Sequence, residues 1–75
     1  MTNIQLFLNT YAKHLKNAYQ ANPEHFRMSY EDTLAAMSVA VQQGAFLKDT
    51  ETFKLTCKEL GIKHTYKAIA EFTAS

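Results

Sequence analysis

The 75-residue chain carries a formal charge of +1, one cysteine, two glycines and one proline. These values exclude a disulfide framework within the chain and a strong global field for nucleic acid or anionic membrane, and the sequence holds no run of about 18 apolar residues that would cross a bilayer. With 47% hydrophobic and 12% aromatic residues, disorder is excluded as well, and the scarcity of Gly and Pro favours helices over a β-sandwich.

A single domain over residues 1–75 is expected, with a core thin enough that either a monomer or a dimer that completes it is compatible with the length. The opening "MTNIQLFLNTYAKHLK" lacks the basic region and long apolar stretch of a secretory signal. Together with the lone Cys57, that points to a soluble protein of the reducing cytoplasm.

The first helix is predicted from about Thr2 to Ala21. Ile4, Phe7, Leu8, Tyr11, Leu15, Ala18 and Tyr19 fall at helical spacing, and Leu6 lies off that stripe. Thr2 or Asn3 supplies the N-cap. Pro23 turns Asn22 away from helical angles and stops the helix. Phe26 and Met28 are expected to fold back on the core.

Ser29 opens the second helix, with Glu31 and Asp32 at the positive end of its dipole. Tyr30, Leu34, Met37 and Val41 form one stripe. Ala35, Ala36, Val39 and Ala40 make the other faces small and apolar, and no charge occurs between Asp32 and Lys48. This pattern predicts a central helix contacted on several sides, ending at Gly44 as its C′ residue.

In the connector "AFLKD", Phe46 and Leu47 are expected core anchors. Asp49 or Thr50 caps a third helix that ends at Gly61, with Phe53, Cys57 and Leu60 buried and Ile62 packing back on the helix end. A fourth helix is predicted over about His64 to Phe72. Tyr66, Ile69 and Ala70 point inward, and "TAS" frays into solvent. The expected fold is all-α: a compact bundle of about four helices, the last two joined by a tight helix-turn-helix-like corner.

That corner, "KELGIKHTYKAI", offers Leu60, Gly61, Ile62, Tyr66 and Ile69 at positions a DNA-reading helix-turn-helix uses. Tyr66 comes one residue earlier than in the usual pattern, which rotates the second helix. Between Lys54 and Lys67 there are four lysines and one acid, Glu59. The DNA-contact candidates are therefore Lys54, Lys58, Lys63, His64, Thr65 and Lys67, the last four at the start of the final helix where bases and phosphates would be met. The competing reading is a plain corner with a solvated lysine face, and the segment lacks arginine, the commonest base reader.

Other chemistry is thinly represented. His14, His25 and His64 show no metal-ligand spacing and read as surface residues. Cys57 falls on the core stripe of its helix and reads as a small hydrophobe; the nucleophile reading would need His64 as its base, seven residues on across the turn. No glycine-rich loop exists to hold phosphate. No catalytic, metal or cofactor residue is expected, and the protein is read as a non-enzyme. Four tyrosines and five phenylalanines exceed what so small a core must hold. Some are expected at the surface as interface anchors, unless they serve instead to fill out the thin core.

Residues 51–72, "ETFKLTCKELGIKHTYKAIAEF", resemble the short helical accessory proteins encoded by bacteriophages and prophages of enteric bacteria. The resemblance implies a cytoplasmic binding protein acting on host or phage machinery, and it carries over no site residue. The function expected is a small binding module that works through a protein partner or a homodimer, with a helix-turn-helix DNA regulator as the alternative and no membrane partner.

Overall fold

A computed structural model describes residues 2–44 and 50–74. Among the described residues four helices follow in order: α1 (Asn3–Ala21), α2 (Tyr30–Gln43), α3 (Glu51–Leu60) and α4 (Tyr66–Ala74), with a 3-10 turn at Pro23–His25. The expected anchors Phe46 and Leu47, and the alternative cap Asp49, lie outside the described residues.

Each boundary has a local cause. Thr2 forms a reciprocal capping box with Gln5: the Gln5 N–H donates to Thr2 Oγ1 at 3.2 Å, and the Thr2 N–H donates to Gln5 Oε1 at 3.3 Å. The Asp32 N–H donates to Ser29 Oγ at 3.1 Å, and the Phe53 N–H to Thr50 Oγ1 at 3.4 Å. α2 and α3 both end on a left-handed glycine, Gly44 and Gly61, each at φ 72°. At Gly61 the Schellman pair is complete: the Gly61 N–H donates to Lys58 O at 3.3 Å and the Ile62 N–H to Cys57 O at 3.1 Å. Ile62 packs against the core as the sequence predicts.

α4 begins two residues later than expected. The Thr65 hydroxyl accepts the Ala68 N–H at 3.1 Å, so Thr65 takes the cap position and His64 stays outside the helix. Tyr66 then stands at the first helical position, 47% exposed. Ala70 is exposed too, whereas Ile69 is fully buried and Phe72 packs against the core. Two of the three residues expected to face inward therefore face out.

The core is Phe7, Tyr11 and Leu15 of α1, Val41 of α2, Phe53 and Cys57 of α3, and Ile69 of α4. The Phe53 ring packs on the first two, with centroids 5.6 Å from Phe7 and 5.0 Å from Tyr11. α1 is the hub. α2, α3 and α4 each lie against it, and their backbones come less close to one another. This corrects the expectation that α2 is central. α2 buries Val41 alone, and Ala35, Ala36 and Val39 are exposed. The physical reason is reach: large side chains four residues apart on α1 fill the space between three neighbours, and alanines do not.

At the other end of α1, Tyr19 stacks on Phe26 with centroids 3.9 Å apart, so Phe26 does fold back. The Tyr19 hydroxyl donates to Met28 O at 2.6 Å and lies 2.7 Å from Thr33 Oγ1. Met28 is held by this backbone contact, but the residue is 50% exposed rather than in the core.

Candidate binding surfaces

The six lysine-corner candidates separate into three groups. Lys63, Thr65 and Lys67 meet around a shallow depression of about 260 Å³, with Ala68 and Glu71 on the same rim. Lys54 and Lys58 are exposed on α3, outside that depression and four residues apart on one side of the helix. His64 is half-buried, and its Nε2 is enclosed without a hydrogen-bond partner. That atom is closed to solvent, and the chain bends at His64 before α4 starts. The Thr65 hydroxyl is already engaged in capping α4.

A cluster that sequence reasoning missed ties α1 to α3. The Lys13 ammonium donates to both carboxylate oxygens of Glu59 at 2.6 Å, and His14 Nε2 lies 3.1 Å from Glu59 Oε1. The hydrogen bond from Lys13, followed by its charge and by His14, holds the Glu59 carboxyl below its ordinary range against the opposing effect of desolvation. His14 is thus engaged across the α1–α3 seam rather than simply at the surface. Lys13 and Glu59 are 46 residues apart, so no local pattern announces the pair. Only the seating of α3 on α1 brings them together.

Cys57 is 1% exposed, and burial pushes its thiol pKa up. Both effects disfavour the thiolate that a nucleophile needs. The Tyr11 phenol is pushed up to about 12, first by burial and then by the neighbouring Tyr19. Among the described residues, no group of three or more His, Cys, Asp or Glu side chains is placed to hold a metal ion, and no helix is long and apolar enough to cross a membrane.

The aromatic side chains are mostly consumed by the core. Phe7, Tyr11 and Phe53 are buried, and Tyr19, Phe26, Tyr30 and Phe72 pack against the core cluster. Among the described aromatics only Tyr66 is exposed. The surplus expected at the surface is therefore spent in filling a thin core. What the surface offers instead is the outer side of α2. Ala35, Ala36 and Val39 share that side, Val39 being 54% exposed, and from Thr33 to the end of the helix there is no charge.

Comparison of the chain with protein-family models, curated proteins and solved structures finds no match.

Proposed function

We propose that the protein is a small non-enzymatic binding module that works by contact with another protein surface, a second copy of the chain included. The observation that carries this reading is the outer face of α2. A solvated helix face is ordinarily charged; this one presents Ala35, Ala36 and Val39 without a charge between Asp32 and Gln43. Small side chains let a partner helix approach closely, and little solvation is lost when they are covered. The resemblance of residues 51–72 to phage and prophage accessory proteins fits such a role in the cytoplasm, on host or phage machinery.

Sedimentation and light scattering across micromolar concentrations test the self-association arm. The expected result is a mass that rises with concentration and returns to the monomer value in Val39→Glu. For a foreign partner, the same substitution should abolish capture while leaving the melting temperature in place. Partner capture that survives Val39→Glu, in a chain that stays monomeric, removes the α2 face from the reading.

The second reading is a helix-turn-helix DNA regulator. The grouping of Lys63, Thr65 and Lys67 at the start of α4 favours it. The half-exposed Tyr66 and the enclosed Nε2 of His64 weigh against it, because that reading takes Tyr66 as an inward position of the second helix and His64 as a group at its N-terminal end open to base edges. Selection from a randomised duplex pool is the test. Recovery of a consensus sequence supports regulation, and an unenriched pool ends this reading.

A further inference from the structure

A cleft between the second half of α1 and the start of α2 shares no residue with the outer α2 face or the lysine corner. It measures about 440 Å³ and is lined by Lys16, Tyr19, Gln20, Tyr30 and Glu31, a volume within the range of small-molecule sites. Tyr19 and Tyr30 are half-buried and form its deeper part, whereas Lys16, Gln20 and Glu31 are exposed at its rim. The two rings are fixed before any ligand arrives. Tyr19 stacks on Phe26, and Tyr30 meets Tyr19 edge to face with centroids 5.9 Å apart. Both hydroxyls are spent inside the protein: that of Tyr19 donates to Met28 O at 2.6 Å and that of Tyr30 to Ala12 O at 3.4 Å. The tyrosines therefore offer a ligand ring carbon, and covering it costs little side-chain freedom. The rim carries one charge of each sign. Neither Lys16 nor Glu31 is taken up in an ion pair, since the two pairs among the described residues both end on Glu59.

We propose that this cleft binds a small aromatic zwitterion, of the class of a free aromatic amino acid, with its carboxylate on Lys16, its ammonium on Glu31 and its ring on Tyr19 and Tyr30. The pair of opposite charges does the selecting. An anion gains at Lys16 and is repelled at Glu31, and a cation meets the reverse; only a ligand carrying both signs gains at both ends. A nucleotide is disfavoured on the same ground. An internal residue of a peptide has neither charge and a terminal residue has one, so the free molecule fits the rim better than a segment of chain. The ring of the ligand adds an aromatic contact to the two tyrosines, and the Gln20 amide is able to donate or accept beside the charged groups. This site uses none of Ala35, Ala36 and Val39, so it goes beyond the protein-contact reading and stands or falls apart from it.

The test is a titration of the isotope-labelled full chain with L-phenylalanine, followed by backbone amide chemical shifts. Saturable binding is expected with a Kd of about 1 mM, as suits so small a ligand at an open site. The shifts should centre on Lys16, Tyr19, Gln20, Tyr30 and Glu31. Hydrocinnamate, which lacks the ammonium, and phenethylamine, which lacks the carboxylate, should each bind about fivefold more weakly, the loss expected of one exposed charge pair. The variants then separate charge pairing from a general disturbance. Lys16→Gln should weaken L-phenylalanine about fivefold without weakening phenethylamine, and Glu31→Gln should weaken it by as much without weakening hydrocinnamate. Glu24→Gln, at an exposed carboxylate outside the cleft, should leave the affinity unchanged. Circular dichroism confirms that these surface variants keep the fold. No saturable shift up to about 20 mM ligand, shifts centred elsewhere on the chain, or a loss in either variant shared by all three ligands would overturn the proposal. So would equal affinity for N-acetyl-L-phenylalaninamide, which carries neither charge.

Discussion

Gly61 stands at φ 72° with no atom within 4 Å of where a β-carbon would project. Its cost of substitution is therefore one of backbone conformation and not of space. A β-carbon at a left-handed position costs about 1–2 kcal/mol, which in a domain of this size lowers Tm by roughly 4–8 °C per kcal/mol. Gly61→Ala should show that loss in a thermal melt, and Gly61→Asn should recover part of it because asparagine tolerates the left-handed region. An unchanged Tm in Gly61→Ala would mean that α3 and α4 join as one helix. Two buried groups make further residue-scale predictions. Cys57 should react with a thiol reagent only as fast as the protein unfolds, since it is 1% exposed and its thiol pKa is raised. The Tyr11 phenol titrates at about 12 in the folded state against an ordinary 10.0. A raised pKa on this group favours the neutral form, so its contribution to stability is whole below about pH 10 and is lost as pH climbs toward about 12. Alkaline unfolding in that window should be blunted in Tyr11→Phe, as followed by tyrosinate absorbance and circular dichroism together.

Between elements, the Lys13–Glu59–His14 contact is the polar seam of α1 on α3. Glu59 has a lowered pKa, so the seam stabilises the fold above the ordinary glutamate range and is lost as pH falls through the depressed value. Glu59→Gln should flatten the acid limb of a stability-versus-pH curve and weaken its salt dependence, leaving the neutral-pH fold in place, because exposed pairs contribute little. An acid limb identical to that of the parent chain would show that the seam carries no weight. The elements themselves were legible in the sequence wherever the cause is local. Thr2, Ser29, Thr50, Gly44 and Gly61 signal their boundaries through caps and a left-handed turn, and each takes the position expected. The order of packing was not legible. An uncharged stretch from Thr33 to Gln43 reads as a buried helix, yet lack of charge is not the same as a side chain large enough to fill a core. The orientation of α4 was misread for a related reason. A single hydroxyl, that of Thr65, sets where the helix starts, and a shift of two residues moves Tyr66 outside the core-facing stripe.

Across the whole molecule, stability rests on one element. The flanking helices come less close to one another than to α1, and the three α1 residues Phe7, Tyr11 and Leu15 are each no more than 3% exposed. None of the other helices has a second neighbour as close to hold it if α1 is weakened. A chain of this length has a total stability of about 4–11 kcal/mol, and truncating a buried phenylalanine to alanine costs about 3–5 kcal/mol. Phe7→Ala should therefore consume much or most of the stability and destabilise all four helices together, whereas Val39→Glu, on the open side of α2, should stay within about 0.5 kcal/mol of the parent chain. Urea titrations followed by far-ultraviolet circular dichroism and by tyrosine fluorescence distinguish the two. The first reports helix, and the second reports Tyr11 in the core and Tyr19 and Tyr30 between α1 and α2, above the signal of the exposed Tyr66. With α1 as a shared support, the two curves should superimpose in the parent chain, and in Phe7→Ala they should move together to lower urea. Helical signal that outlasts the tyrosine transition would mean that α2, α3 or α4 holds its structure without α1, and the hub would not be one.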